Sequence, residues 1–390
     1  MCEYGQLPGA RLNKLYRQWA SGGAGLILSG NVMISPDALT GPGGVVLTKE
    51  TLSDDAAAER FRVWAQAGRS GAGQFWLQIS HPGRQVFASQ GTPPVSASAT
   101  KVNMLGLESM FDQARALDEA EVSAIISRFA DTAWAAKALG FDGVQIHAAH
   151  GYLVSQFLSP LTNLREDRWG GSLENRARLL LESVKAIREK TGPKFGIGVK
   201  LNSADFQKGG FDQQDAAQVV QWLNKLGVDF VELSGGSYES PAMQGISKKG
   251  RSASTHAREM YFLGFAEEIK QAATLPIMVT GGVTQKATAQ AALESGGADI
   301  IGVARAMAYV PDLPNRWKNG ESLKITWRRA AFKNKVLTAL GNMALTKNSL
   351  HRMGDGNGPA PSASPLISIV KDRLRIRRLT KGYKKWLQAL

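Results

Sequence analysis

His147 and His150 stand three residues apart, and Tyr152 follows two residues later. All three lie in the run GFDGVQIHAAHGYLVSQFLSPLTNLREDRWGGSLENRAR, Gly140 to Arg178. The run opens with an apolar stretch, Gly143 to His147, that reads as a buried strand. A polar loop rich in Asn, Arg, Asp and Gly follows and leads into a helix. Two imidazoles and a phenol therefore leave the C-terminal end of a strand, where parallel α/β folds keep their chemistry. Neutral imidazoles can donate to a carbonyl oxygen and polarise it. A phenol with a pKa of about 10 can protonate a carbanion-like carbon. A metal would need a third ligand. Asp167 and Glu174 fall at no matching spacing, so no metal is expected. The plainer alternative for either histidine alone is a side chain satisfied by backbone.

Other strand ends add polar groups. Gln78 closes the run QFWLQI, and its planar amide could pair with the edge of a heterocycle. Lys200 lies near the end of GIGVKL. A buried lysine needs an anionic partner. That partner is either a ligand or a carboxylate such as Asp205 or Glu232. The last two strands end in TGGV (Thr280 to Val283) and GVAR (Gly302 to Arg305). In eight-stranded α/β barrels, phosphate commonly sits on the loops after strands seven and eight. Backbone N–H groups at Gly281 and Gly282 can approach it closely, and Arg305 can bind it bidentately. A phosphate, a flat heterocycle and an anionic edge together suggest flavin mononucleotide (FMN).

The elements that must hold these residues alternate. Helical spacing over Leu12 to Ser21 precedes the strand Gly25 to Asn31, and Thr51 to Ser70 reads as helical before Gln74 to Ile79. A Pro- and Ser-containing loop spans Gly91 to Met110, and a long helix spans Asp118 to Leu139. The central strand is followed by a helix from Leu173 to Lys190, with Ser172 as its cap. Strands then follow at Gly196 to Leu201, Phe230 to Ser234, Ile277 to Thr280 and Ile300 to Val303. Helices are expected between them at Gln213 to Leu226, Glu259 to Ala273 and Thr284 to Ser295. After the SGGSY end of the fifth strand, a polar loop is expected to about Arg258.

Short, wholly apolar strands alternating with helices predict an α/β fold with a parallel sheet, of (β/α)8 TIM-barrel type. An open doubly wound sheet is the alternative, but no strand runs into a GxGxxG turn with an acidic residue beyond it. Only seven strands are found, so the first strand of the barrel is expected to be missing or replaced. Residues 1–320 form the expected FMN-binding barrel, incomplete at its N-terminus. Residues 321–390 form a helical, basic extension with a Gly/Pro/Ser linker near 354–365.

The chain has 390 residues, 43% of them hydrophobic, and a formal net charge of +14. Much of the excess lies in KDRLRIRRLTKGYKKW, Lys371 to Trp386. A basic surface can attract nucleic acid or acidic lipid, but no nucleic-acid recognition motif is present. Cys2 is the only cysteine, which rules out an internal disulfide, a cysteine-based zinc site and a cysteine-ligated iron–sulfur cluster. No run is long enough to span a membrane, and the N-terminus has neither an apolar leader core nor a transit-peptide pattern. A cytoplasmic location is expected.

The central run strongly resembles the signature of the Old Yellow Enzyme family of flavin-dependent ene-reductases. GGAGLILSGN, LQISHPGRQ, GVKLNSADF, VELSGG, VTGGV and GVARAMAYVPDL support the resemblance, in family order from about Met1 to Trp317. LSGNVMI and KLNSADFQKGGF are most similar to the fungal NADH:flavin oxidoreductase branch. The resemblance implies a barrel that binds FMN and passes hydride from NADPH or NADH to an activated alkene. His147 and His150 would bind the substrate carbonyl or nitro oxygen, and Tyr152 would protonate the α-carbon. Gln78 would contact the flavin pyrimidine, and Lys200 would stand near flavin N1. Gly282, Ala304 and Arg305 would hold the phosphate end. The chain departs from the family pattern at Ala304, where glycine is common, and at Trp169, where tyrosine is common. It also departs at the first strand, which should precede the helix at Leu12. The alternatives are a redox-neutral flavoenzyme, an isomerase or cyclase, and a truncated protein with a binding role. The expected partners are an activated alkene and a nicotinamide nucleotide, without nucleic acid or a membrane span. A homo-oligomer is left open.

Overall fold

The short apolar runs become parallel strands, and the amphipathic runs between them become helices. In the computed structural model, which describes residues 1–104, 108–236, 239, 263–323 and 325–390, the strands are β1 (Leu26–Leu28), β2 (Val32–Met33), β3 (Val45–Val46), β4 (Gln74–Ser80), β5 (Val95–Ser96), β6 (Arg115–Ala116), β7 (Gly143–Ala148), β8 (Gly196–Asn202), β9 (Phe230–Ser234), β10 (Ile277–Thr280) and β11 (Ile300–Gly302). The helices are α1 (Ala10–Ser21), α2 (Asp55–Gly68), α3 (Glu119–Ala138), α4 (Leu153–Leu158), α5 (Leu173–Thr191), α6 (Gln213–Leu223), α7 (Leu263–Ala272), α8 (Lys286–Glu294), α9 (Leu313–Lys318), α10 (Lys335–Gly354) and α11 (Pro365–Leu387). The last residues of SGGSY, the loop expected to Arg258 and the helix start expected at Glu259 lie outside the described residues.

The main sheet runs β11-β10-β9-β8-β7-β4-β2-β3, with β1 also on β4, and every pairing is parallel. All seven expected strands are in it. The sheet curves into a (β/α)8-type barrel. Along β4, alternate side chains face opposite ways. Phe75, Leu77 and Ile79 are fully buried in the core shared with helix residues Phe61, Trp64, Val122 and Phe129. Trp76 faces the other way and joins Phe230 and Met278, with Leu26, Leu28 and Ile300 packed around them. This second cluster is the barrel floor. A Cβ at Gly143 or Gly196 would overlap the Trp76 ring, so those positions leave the room that the indole fills.

Side chains of β1 and of β11, the strand at one end of the sheet, both pack on that floor. No described residues pair with both, so the eighth stave is unfilled within the described chain. The expected strand Gly25 to Asn31 is interrupted. β1 pairs with the start of β4 and β2 with its end, through Val32↔Ile79 and Met33↔Ser80. In the break, the Ser29 hydroxyl accepts the Gln78 backbone N–H at 2.9 Å in place of a ladder carbonyl.

Helix starts carry the expected chemistry. Asp54 accepts from Ala56 and Ala57 N–H, and Asp118 and Glu121 form a reciprocal capping box. Ser172 caps α5. One short helix, α4, stands where the sequence suggested a loop. Beyond Pro311, α9, α10 and α11 follow. The segment 355–364 joins α10 to α11, and Lys347 and Asp372 bridge the two helices at 3.1 Å. Tyr383 of α11 is fully buried, and its hydroxyl donates to Pro36 O at 2.9 Å. Trp386 and Leu387 pack beside it on Met33, Leu39 and Val46.

Candidate active site

β7 delivers Gln145 and His147 to the barrel interior, two residues apart as strand alternation requires. Register places His147 opposite Lys200 on β8, and Lys200 opposite Glu232 on β9. One strand repeat lower, Gln78 of β4 stands opposite Gln145. The interior at this level is polar and almost dry. Gln78 Nε2 donates to Gln145 Oε1 at 2.7 Å, and Gln145 Nε2 donates to Glu232 Oε2 at 2.7 Å. Lys200 Nζ donates to Glu232 Oε1 at 2.8 Å. The Glu232 side chain is only 2% exposed. Burial pushes its pKa up, but attraction to Lys200 and the hydrogen bonds it accepts outweigh that and hold it below the ordinary value. It is an anion, and Lys200 is its counter-ion.

Above this layer runs a chain of four side chains. Asn31 Oδ1 lies 2.8 Å from His147 Nδ1, His147 Nε2 lies 3.1 Å from His150 Nδ1, and His150 Nε2 lies 2.7 Å from Ser234 Oγ. Asn31 presents its amide oxygen, which only accepts, so His147 carries its proton on Nδ1. His147 Nε2 then accepts from His150 Nδ1–H, and His150 Nε2 accepts from the Ser234 hydroxyl. Burial pushes the His147 pKa well below its ordinary value, and the neighbouring His150 and Lys200 charges push the same way. Burial and Lys200 together lower His150 to about 3. Both rings are neutral at physiological pH.

His150 has a left-handed backbone, φ 61°, and Gly151 after it has φ 73°. A non-glycine residue holds that conformation only where its surroundings impose it. Here Asn202 Oδ1 accepts the His150 N–H at 3.1 Å, and Gln85 Nε2 donates to its carbonyl at 3.0 Å. The turn aims Tyr152 back over the strand. Tyr152 is 7% exposed, and its ring centroid lies 4.6 Å from that of His147 in an edge-on contact. Tyr152 is the N-cap residue of α4, which Gln156 locks in place. The Gln156 amide accepts from Arg84 N–H and Ser96 Oγ and donates to the Pro82 and Gly151 carbonyls.

The four remaining sequence candidates, Gly281, Gly282, Ala304 and Arg305, lie in the two turns that follow β10 and β11. Thr280 and Gly302 are paired across β10 and β11, so the turns that follow are neighbours. Gly281 and Gly282 both have positive φ, 142° and 72°. Such conformations favour glycine, and without a Cβ the backbone of this turn can be approached closely by a ligand. Ala304 and Arg305 are exposed, and Arg305 has no ion-pair partner among the described residues. The groups present could accommodate FMN: an amide at Gln78, the Lys200 ammonium already paired with Glu232, and the Gly281–Gly282 turn with the exposed Arg305 guanidinium for the phosphate. Among the described residues, no cluster of three or more His, Cys, Asp or Glu is placed to hold a metal ion.

The structure thus brings His147, His150 and Tyr152 together, with Lys200 in register beside them. It also adds residues that the sequence did not single out. Gln145 and Ser234 each lie two positions from a residue already considered, a signal that strand alternation could have read. Asn31 closes the strand expected over Gly25 to Asn31, a strand-end signal that was not read as one, and it lies in the break between β1 and β2. Of the two carboxylates considered for Lys200, the observed partner is Glu232. Asp205 instead accepts from Asn202 Nδ2 and Phe211 N–H.

The family model described as NADH:flavin oxidoreductase / NADH oxidase matches residues 1–324. The NADH-dependent flavin oxidoreductase nadA of Aspergillus parasiticus is 37% identical over 313 residues, 79% of this chain and 68% of that protein. A solved structure of the old yellow enzyme homologue from Zymomonas mobilis superposes with a TM-score of 0.68 at 29% identity, covering 83% of this chain and 87% of that one. A 2-naphthoyl-CoA reductase complex superposes with a TM-score of 0.73 at 26% identity over 82% of this chain. The match covers 48% of that reductase, so this chain spans about half its length.

Proposed function

The chain belongs to the NADH:flavin oxidoreductase / NADH oxidase family, the Old Yellow Enzyme family, and from that premise we propose that it binds FMN and reduces the C=C bond of an activated alkene at the expense of NADH or NADPH. The observation that carries the reading is the neutral His147–His150 pair with the Tyr152 ring 4.6 Å from His147. Bound in the barrel mouth, FMN would supply hydride transfer between the nicotinamide and the alkene. Gln78 would orient the pyrimidine edge, and Lys200, neutralised by Glu232, would offer an N–H donor beside it. Gly281, Gly282, Ala304 and Arg305 would hold the phosphate.

The protein's own groups would do the rest. Each neutral imidazole carries one N–H, engaged by Asn31 at His147 and by His147 at His150, and the carbonyl or nitro oxygen of the substrate would have to displace one of these contacts or shift a tautomer to be bound. An imidazolium would pay for its burial with a large desolvation penalty, so a neutral donor is the stable choice here. Asn31 and Ser234, at the two ends of the hydrogen-bonded chain, limit how the rings can rotate. As charge builds on the substrate oxygen, electron density moves to the α-carbon, and the Tyr152 hydroxyl would protonate it. Purified protein should carry a flavin absorbance, and anaerobic mixing with NADH or NADPH should bleach it. An enone should then restore the colour. Protein reconstituted with FMN that bleaches but does not recover with any enone would overturn the alkene reading.

A further inference from the structure

We propose that α11 is a docking surface for an anionic lipid bilayer. The helix carries eight Lys and Arg residues against one acid, Asp372, in a chain of net charge +14. Asp372 is already committed to Lys347 at 3.1 Å and Arg375 at 3.8 Å. The inner face is spent on the barrel: Ser368 and Tyr383 are buried, and Trp386 and Leu387 pack on the β2–β3 region. The outer face is unusual. Leu366, Ile367, Val370 and Leu374 are 58–63% exposed. At about 100° per residue they fall within one arc of roughly 100°. Arg377, Lys381, Lys384 and Lys385 continue the same arc toward the C-terminus, flanked by Arg373 and Arg378, and all six are exposed. None of the six has an ion-pair partner among the described residues.

An exposed apolar stripe that continues into unpaired cations suits one occupant best. A second copy of the helix would bring like charges together. Nucleic acid would use the cations but leave the four aliphatic side chains in water. An interface of anionic headgroups over acyl chains satisfies both, because the aliphatic side chains enter the boundary while the cations meet the headgroups. No helix among the described residues is long and apolar enough to cross a membrane, so the contact is peripheral. α11 also lies beyond the segment matched by the family model, so this surface is an addition to the family's barrel.

The test is co-sedimentation of the full chain with vesicles of phosphatidylcholine alone and of phosphatidylcholine with phosphatidylserine, at low and high salt. Binding to the anionic vesicles should be at least about tenfold tighter and should weaken with salt. Changing Leu366, Ile367, Val370 and Leu374 together to Ser should weaken it about tenfold or more. In a second variant, Arg377→Gln, Lys381→Gln and Lys385→Gln, each neutralised cation should cost about fivefold. All seven side chains are exposed, and far-UV circular dichroism should match the parent chain. Equal binding to both vesicle types would overturn the proposal. Full vesicle binding by the serine variant would also overturn it, as would duplex RNA or DNA binding more tightly than the anionic vesicles.

Discussion

His147 Nε2 stands 3.1 Å from His150 Nδ1, and burial keeps both rings from carrying a charge. This pair has a cost in acid. The folded pKa of His147 lies well below its ordinary value, so between pH 6.5 and that lower pKa the unfolded chain binds a proton that the native chain refuses. The stability contributed by the neutral ring is complete above about pH 6.5 and is lost as pH falls. From pH 7 to pH 5 the His147 contribution should be about 2 kcal/mol. Urea denaturation at the two pH values should show a loss smaller by about that amount in His147→Gln. An identical loss in the variant and the parent would mean that the ring charges freely in the fold.

Tyr152→Phe keeps the ring that contacts His147 and removes the hydroxyl that would supply the proton. Alkene reduction should slow about 10²- to 10⁴-fold, the usual worth of a positioned general acid. Reduction of the flavin by NADH or NADPH needs no proton from this residue and should hardly change. Stopped-flow measurement of the two half-reactions separates them, and equal slowing in both would contradict the role.

Glu232 and Lys200 form an ion pair with almost no solvent at the carboxylate. Glu232→Ala would leave a buried ammonium unpaired and the Gln145 amide short of an acceptor. The expected loss of stability is about 3–5 kcal/mol. The double variant Glu232→Leu with Lys200→Met removes both charges and should be much less destabilised, because neither partner is stranded. Thermal or chemical denaturation of the two variants checks the sign of the difference.

Arg305 is exposed beside the Gly281–Gly282 turn with no ion-pair partner among the described residues. A charge-assisted contact to phosphate is worth about 1.5–3 kcal/mol. Arg305→Ala should therefore weaken FMN binding about 10- to 100-fold, measured by quenching of free flavin fluorescence on titration with apoprotein. The affinity for riboflavin, which has no phosphate, should stay the same.

Strand alternation and strand ends were legible from local pattern, because both follow from periods of two to four residues along the chain. That was enough to place the seven strands, and to set His147, His150, Tyr152, Gln78 and Lys200 at strand ends. Helix α4 was hidden because Leu153 to Leu158 is only six residues long and buried all round, its polar Ser155 and Gln156 included, so it has no exposed polar face that would give an amphipathic period to read. The partners were hidden for a different reason. Asn31 reaches His147 across 116 positions, and Glu232 reaches Gln145 across 87. Whether Lys200 meets a carboxylate or is left for a ligand depends on register between β8 and β9, which side-chain spacing within either strand does not encode. The residue types that could do chemistry were thus determined by the sequence alone. Which nitrogen carries a proton and which charge is already neutralised were decided only by the tertiary structure around them, because burial and long-range pairing set both.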